Sequence, residues 1–279
     1  MGNEFNLILR NQNYHDKLYL FLQNIFRVLP EDKFFNLIKH NTELLATDKD
    51  IYNQISRDIS SIKPFLVDFR YGLPALFKQK KVIANQTKQL VGDLIVDSYL
   101  EIGTVGRYIP YLTKVLNFGK QLYVANDKPA TYSMLDIIDR GGVSIKFNHV
   151  DLNNYAPLNI SSNSLDMVSC YIGLHHIPLD RLNSFIASIY QVLKPGGKFI
   201  LRDHNCDSND MIVFVSLIHT VFNIGSGVTE EQNANEPRYF RSLAEWIDIL
   251  ANNGFNYTGK KLFQDNDPSK NALMLFLKE

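Results

Sequence analysis

The chain has 279 residues, 45% hydrophobic and 21% charged, a composition typical of a protein that buries a core of its own. Its 29 Lys and Arg residues balance its 29 Asp and Glu residues, so no net field attracts a phosphate backbone and a nucleic-acid partner is disfavoured. No apolar run reaches the roughly 20 residues that span a bilayer. The chain also lacks a signal-peptide pattern and has only two cysteines, so we expect a cytoplasmic protein without a disulfide framework.

Helical periodicity dominates residues 1–94. Near the N-terminus, apolar side chains repeat at the spacing of one helix face: Tyr14, Leu18, Phe21, Leu22 and Ile25. Pro30 is expected to open a second helix, and Thr47 with Asp50 forms a capping pattern at the start of a third. A further helix is predicted over about 76–94. We predict that residues 1–94 form a helical region that shapes the substrate site or contacts a partner.

Residues 95–279 show strands alternating with helices. The first five predicted strands cover 99–102, 121–125, 144–150, 165–172 and 198–202, and a turn is predicted at 194–197. Two final strands, 256–263 and 272–277, are joined by a turn too short for a crossover, which allows only an antiparallel pair. The pattern predicts an α/β fold with a doubly wound, seven-stranded, mostly parallel sheet, an antiparallel last strand and an N-terminal helical region.

Glycine and acidic residues follow the predicted strands, where sheets of this kind bind ligands. The first strand ends in the turn Glu101-Ile102-Gly103-Thr104-Val105-Gly106-Arg107, whose glycines allow a ligand to approach the backbone. Asn126 and Asp127 end the second strand, about 25 residues further on, where nucleotide-binding folds carry a ribose-binding acid. Asp151 ends the third strand, and Leu174-His175-His176-Ile177 follows the fourth.

The order of these features resembles that of the class I S-adenosylmethionine (SAM) dependent methyltransferases. The resemblance covers about 99–278 and includes the acid-x-Gly turn, the acids after the second and third strands, the Leu-His-His-Ile segment, the Leu-Lys-Pro-Gly-Gly turn and the final hairpin. It implies a Rossmann-like domain over residues 95–279, an enzyme, and SAM as the cofactor.

The resemblance also implies a role for each matching position. Gly103, Thr104 and Gly106 would wrap the methionine part of SAM, and Glu101 would hold the turn and approach the ammonium group. Either Asn126 or Asp127 would bind the ribose hydroxyls. The remaining expected cofactor contacts are Asp151 and Leu152 at the adenine, and Tyr171 and Ile172 on the far side of the cofactor. The family pattern is acid-x-Gly-x-Gly-x-Gly, whereas the turn of this chain is one residue shorter, with Val105 and Arg107 in the region.

Methyl transfer is an in-line displacement, so a base is needed only if the nucleophile loses a proton as it attacks. Asp203 and His204 end the fifth predicted strand beside the expected site, and imidazole accepts protons near neutral pH. We therefore predict His204, Asp203 and His176 as catalytic residues. His175 is an alternative, since neighbours on an extended chain face opposite ways. These residues lack the paired-ligand spacing of metal motifs, and no metal is predicted.

Two segments outside the sheet are expected to form the substrate pocket. One is the N-terminal helical region, with Tyr14, Tyr71 and Phe77 among its aromatic residues, and the other runs from 211 to 240. Residues 225–227 and the polar run 230–236 are predicted to form a mobile loop, as a lid does.

The main functional hypothesis is an enzyme that methylates an O, N or C atom of a small molecule. Two alternatives stay open: a protein methyltransferase, and a non-catalytic module that binds SAM or a nucleotide. A fourth, an NAD-dependent oxidoreductase, is opposed by the acid before the first glycine and by the C-terminal hairpin. The sequence makes no prediction about the oligomeric state.

Overall fold

The computed structural model describes residues 3–27, 29–62, 73–129, 131, 137, 139–140 and 146–279, with 73–76 described by their backbone alone. The predictions for Tyr71 and for 144–145 of the third strand lie outside the described residues.

Helices form the N-terminal part of the chain and the connections of the sheet. The described α-helices are α1 (Glu4–Arg10), α2 (Gln12–Asn24), α3 (Glu31–Leu44), α4 (Asp48–Asp58), α5 (Leu73–Val91), α6 (Ile109–Leu112), α7 (Leu179–Val192), α8 (Asn209–Ser226), α9 (Glu230–Asn235) and α10 (Leu243–Asn252). None of the helices within the described ranges is both long and apolar enough to cross a bilayer.

The strands form one sheet in the order β3-β2-β1-β4-β5-β7-β6. They are β1 (Ile95–Ile102), β2 (Asn117–Asn126), β3 (Asn148–Asp151), β4 (Leu165–Cys170), β5 (Leu193–His204), β6 (Phe255–Phe263) and β7 (Asn271–Lys278). The strands β1 to β5 pair in parallel, whereas β6 and β7 pair antiparallel. The predicted seven-stranded α/β sheet is thereby confirmed.

The contacts divide the chain into two compact units. One consists of Met1–Lys78, His204–Arg241 and Gln264–Lys270, and is mostly helical. Its core forms where α1, α2 and α4 pack against the apolar helix α8. The other unit consists of Gln79–Asp203, Ser242–Phe263 and Asn271–Glu279, and contains the sheet. Its core joins buried side chains of the strands to those of α7 and α10.

Side-chain caps fix several helix starts that the sequence predicts. The Thr47 hydroxyl accepts a hydrogen bond from the Asp50 backbone N–H at 3.1 Å, as its capping pattern indicates. The helix α1 was not predicted, because seven residues are too few for a clear period. Its first N–H group, on Glu4, instead donates to the Asp48 carboxylate at 2.7 Å, a contact between residues far apart in the chain.

Two local predictions were wrong. Residues 194–197 were predicted to form a turn, but they belong to β5 as a bulge, with the register against β4 shifting between Leu165 and Met167. The predicted loop at 230–236 is largely the helix α9, because Thr229 and Gln232 form a reciprocal capping box. Gly225 lies inside α8, where an added Cβ would be 2.8 Å from Cε1 of the Phe26 ring, so this glycine allows close packing.

Candidate active site

The register of the parallel strands aligns their carboxyl ends along one edge of the sheet. Ile102 of β1 pairs with Ala125 of β2 and with Cys170 of β4, and Asn126 pairs with Asp151 of β3. The carboxyl ends of the four neighbouring strands β3, β2, β1 and β4 therefore lie side by side. The predicted cofactor residues at or just beyond these ends are Glu101, Gly103, Thr104, Gly106, Asn126, Asp127, Asp151, Leu152, Tyr171 and Ile172.

Gly103 occupies a position that only glycine fits. Its φ of +82° lies in the left-handed region, and a Cβ there would be 2.7 Å from Cγ1 of Ile172. Its N–H donates to the carbonyl of Ala125 at 2.7 Å, which ties the turn to β2. The half-buried Ile172 side chain therefore packs directly against the backbone of the turn.

The Glu101 carboxylate holds this turn from inside. Its side chain is fully buried, accepts a hydrogen bond from the Thr104 hydroxyl and lies 3.2–3.3 Å from the Tyr108 backbone N–H. The Thr104 hydroxyl oxygen in turn accepts from the N–H groups of Gly106 and Arg107, each at 3.1 Å. Burial raises the pKa of Glu101 to about 7, although these hydrogen bonds lower it in part.

A second set of buried polar groups lies next to this carboxylate. Tyr171, predicted to line the cofactor, is 1% exposed, and its hydroxyl is 2.9 Å from the Thr87 hydroxyl of α5. Its ring lies 4.6 Å from that of Tyr108, between centroids. Burial strongly raises the pKa of the Tyr171 hydroxyl. The Tyr171 side chain therefore fixes α5 and the turn, and only its backbone is available at the edge.

The acids after β2 and β3 are accessible. Asp127 is exposed and Asn126 half-buried, so either side chain has room for a ligand. Asp151 is exposed and accepts from the Asn153 N–H at 2.8 Å, while Leu152 is 2% exposed and gives the site an apolar wall. These groups provide the carboxylate, amide and apolar surfaces that a ribose and an adenine require. The residues present therefore fit SAM.

Asp203 positions the turn that follows β4. Its Oδ1 atom accepts from Nδ1 of His175 at 2.7 Å, and its Oδ2 atom accepts from the Leu174 N–H at 2.8 Å. A carboxylate only accepts, so His175 must carry its proton on Nδ1. A Cβ on Gly173, whose φ is +92°, would be 3.0 Å from Oδ2. Both oxygens of Asp203 thus hold the turn that presents the half-buried His176.

His204 forms a pair with His219 of α8. Its Nδ1 atom is 3.0 Å from the carbonyl oxygen of Ser269, so Nδ1 donates. In neutral His204, Nε2 is then an acceptor, and it lies 3.3 Å from Nε2 of His219. The Phe240 ring packs against both imidazoles, with centroids 6.0 and 5.0 Å away. A proton leaving His219 therefore has a direct acceptor in His204.

A cleft of about 720 Å³ lies within the helical unit. It is lined by both segments predicted to form the substrate pocket, through Tyr52 of α4, through Ser216 and Thr220 of α8, and through 233–239. The Arg238 guanidinium braces its wall by donating to the Thr220 hydroxyl at 2.8 Å and to Glu236 at 2.8 and 3.0 Å. The volume is within the range of small-molecule sites, roughly 300–1,000 Å³.

Several residues around the site were not predicted from the sequence. They are Lys80, Thr87, Tyr108, Asp139 and, as the partner of His204, His219. No local pattern marks them, because each acts through a residue distant in the chain. For Thr87 and Tyr108 in particular, only the packing of α5 and the glycine turn shows their contacts.

Part of the chain matches a known protein family. Residues 100–201 match the sequence model of a methyltransferase domain. No curated protein matches the chain. A SAM-dependent methyltransferase from Mesorhizobium loti is 12% identical, with 71% of this chain and 98% of that chain covered and a TM-score of 0.49.

Two further solved structures cover more of the chain. One is 1,6-didemethyltoxoflavin-N1-methyltransferase from Burkholderia thailandensis, solved with 1,6-didemethyltoxoflavin and S-adenosylhomocysteine; it is 12% identical over 84% of this chain and 92% of its own, with a TM-score of 0.47. The other, a possible exported protein from Bordetella parapertussis, is 13% identical over 99% of this chain and 95% of its own, with a TM-score of 0.51. The latter shares the fold over nearly the whole chain.

The matched domain, the strand order and the residues at the carboxyl edge of the sheet lead to one conclusion. Residues 100–201 are a methyltransferase domain carried on a seven-stranded, mostly parallel, Rossmann-like sheet, and its cofactor is SAM.

Proposed function

We propose that this methyltransferase transfers a methyl group to an O, N or C atom of a small molecule. The observation that carries the choice of acceptor is the cleft of about 720 Å³ in the helical unit, whose size suits a small ligand. A protein acceptor would need a surface of roughly 800 Å² on each partner.

The proposed cofactor residues are those at the carboxyl edge of the sheet. Gly103, Thr104 and Gly106 would hold the methionine part of SAM, and Glu101 would hold their turn and meet the ammonium group. Asn126 or Asp127 would bind the ribose. Asp151 and Leu152 would contact the adenine, with the Tyr171 backbone and Ile172 opposite. Comparing Asn126→Ala with Asp127→Ala by calorimetry identifies the ribose ligand as the residue whose loss costs more affinity.

Bound SAM supplies an electrophilic methyl group on a positively charged sulfonium. The residues of the chain then hold the acceptor in line, which can contribute up to ~7–11 kcal/mol in favourable cases. For an acceptor that loses a proton, we propose that the His204–His219 pair takes it, with His219 passing the proton on its Nε2 atom to Nε2 of His204. The helix α8 supports this role, since it carries His219 and also Ser216 and Thr220, which line the cleft.

Asp203 and His176 have supporting roles in this proposal. Asp203 acts through the turn it holds, and is a positioning residue. His176, half-buried on that turn, is the second candidate base. A structure with S-adenosylhomocysteine bound tests both bases: a ring nitrogen more than about 8 Å from the sulfur could not reach the acceptor even through one water.

We further propose residues 1–94 and 95–279 as the two domains. By position in the sequence, the segment between β5 and β6 then belongs to the second domain. Its helix α8, however, packs against α1, α2 and α4 of the first domain.

Incubation with SAM labelled on its methyl group tests the proposed acceptor class. Labelled products from a small-molecule extract, with none on protein from the same cells, are the expected result. Label found only on protein would favour a protein acceptor. Binding of SAM without any labelled product would favour a domain that binds the cofactor without turnover.

A further inference from the structure

Arg107 directly follows Gly106 at the end of the glycine turn. This turn has two glycines, Gly103 and Gly106, where the family pattern has three. A guanidinium is large and remains charged at any physiological pH. Its placement therefore matters for the path of the turn that begins at Gly103.

The Arg107 guanidinium forms a two-pronged ion pair with Asp139. Its Nε and Nη2 atoms donate to Oδ1 and Oδ2 at 2.7 and 2.9 Å. The two side chains are 36% and 23% exposed, so the pair is shielded from much of the solvent. This planar geometry fixes the direction of the guanidinium, which a lysine could not reproduce.

Lys80 of α5 contacts the same acid. Its side chain is 1% exposed, its Nζ lies 3.5 Å from Oδ1 of Asp139, and it also donates to the Asp139 backbone carbonyl. Asp139, which lies between β2 and β3 in the chain, therefore links α5 to the glycine turn through Arg107.

The backbone of Arg107 is tied to the turn as well. Its N–H donates to the Thr104 hydroxyl oxygen at 3.1 Å, and that hydroxyl donates to Glu101. A displacement of the guanidinium would therefore pull on Thr104, the residue next to Gly103.

We propose that Asp139, through its contacts with Arg107 and Lys80, positions the turn 103–107 to bind the amino-acid part of SAM. The inference rests on the proposed cofactor residues and adds a positioning residue that lies outside the family pattern. In this chain an ion pair replaces the third glycine as the means of setting the course of the turn.

Two ligands that differ only in the amino-acid part test this role. S-adenosylhomocysteine carries that part, whereas 5′-methylthioadenosine lacks it. For Asp139→Asn, calorimetry should show the affinity for S-adenosylhomocysteine falling roughly tenfold or more, since a hydrogen-bonded charge pair is lost. The affinity for 5′-methylthioadenosine should stay within about twofold. Asp93→Asn, which removes the exposed Lys88–Asp93 pair, is the matched control and should change neither.

Two results would overturn the inference. An unchanged affinity for S-adenosylhomocysteine would show that the pair does not position the turn, and an equal loss for both ligands would show a general structural role. If Asp139→Asn does not fold, Arg107→Lys carries the same test, because it keeps the charge but cannot form the fork. A wild-type protein that binds neither ligand would overturn the proposed cofactor site, and this inference with it.

Discussion

Replacing Glu101 by Gln should remove a pH dependence of stability that the structure predicts for the protein without ligand. The folded-state pKa of about 7, against an ordinary value of 4.5, means that the folded protein holds a proton which the unfolded chain has released. The stability that the protonated Glu101 contributes is fully present below about pH 4.5. This contribution is lost as the pH rises through about 7. At about 1.36 kcal/mol per pKa unit, the total loss is roughly 3 kcal/mol.

The glutamine side chain of the Glu101→Gln variant would keep the shape of the native one without the buried charge. Its oxygen can still accept from the Tyr108 N–H, while the contact with the Thr104 hydroxyl is weakened at a cost of ~1 kcal/mol. We therefore expect this variant to be more stable than the wild type by about 2 kcal/mol at alkaline pH, and to lose the part of the pH dependence that comes from Glu101. The same substitution should weaken SAM binding, because the carboxylate proposed to meet the ammonium is gone.

Urea denaturation followed by circular dichroism, between about pH 5 and pH 8, measures the free energy of unfolding of each protein and how that free energy changes with pH. Glu43→Gln, at an exposed position, is the control and should keep the wild-type profile. If Glu101→Gln retained the wild-type slope against pH, the buried carboxylate would not be the source of the dependence, and the reasoning from its burial would be refuted.

Three further substitutions test the site. Gly103→Val should abolish SAM binding, because a side chain there overlaps Ile172. Gly92→Val, also at positive φ but in open space, is the control and should leave binding intact. Equal losses in the two variants would show that backbone strain, and not the overlap, is the cause. Asp151→Ala should weaken SAM binding by ~0.5–1.5 kcal/mol in calorimetry, for one lost hydrogen bond. An unchanged dissociation constant would remove Asp151 from the site. His204→Ala should lower turnover by ~10²–10⁴ at unaltered SAM affinity, with His219→Ala similar in effect, if the acceptor loses a proton. Near-normal turnover in His204→Ala would exclude His204 as the base. Alignment of the two reactants would then account for the catalysis by itself.

The sequence by itself determined the fold class and the order of the site. Each strand is a run of apolar residues followed by glycine or acidic residues. This pattern is local, so it can be recognised without knowing how the side chains pack. The hairpin of β6 and β7 could be predicted because a turn of a few residues permits only antiparallel pairing. The positions of Gly103, Asn126 and Asp151 followed in the same way, since each lies at or directly after the carboxyl end of a strand.

Short and reciprocal features were harder to predict. The helix α1 has too few residues to show a period, and its start depends on the Asp48 carboxylate, which belongs to another helix. The helix α9 was predicted as a loop because its residues are polar on every side. Its capping box is nonetheless visible in the sequence as Thr229 followed by Gln232.

Only the tertiary structure decided what the charged and polar groups of the site contact. Glu101, Asp203 and His204 could all be found at strand ends from the sequence, but their partners are Tyr108, His175 and His219, at separations that no local pattern encodes. Burial is likewise a property of the whole fold, and it raises the pKa of Glu101 while local hydrogen bonds lower it. The sequence therefore specified which residues reach the edge of the sheet, and the packing around them specified their protonation and orientation, because both depend on neighbours brought together only by folding.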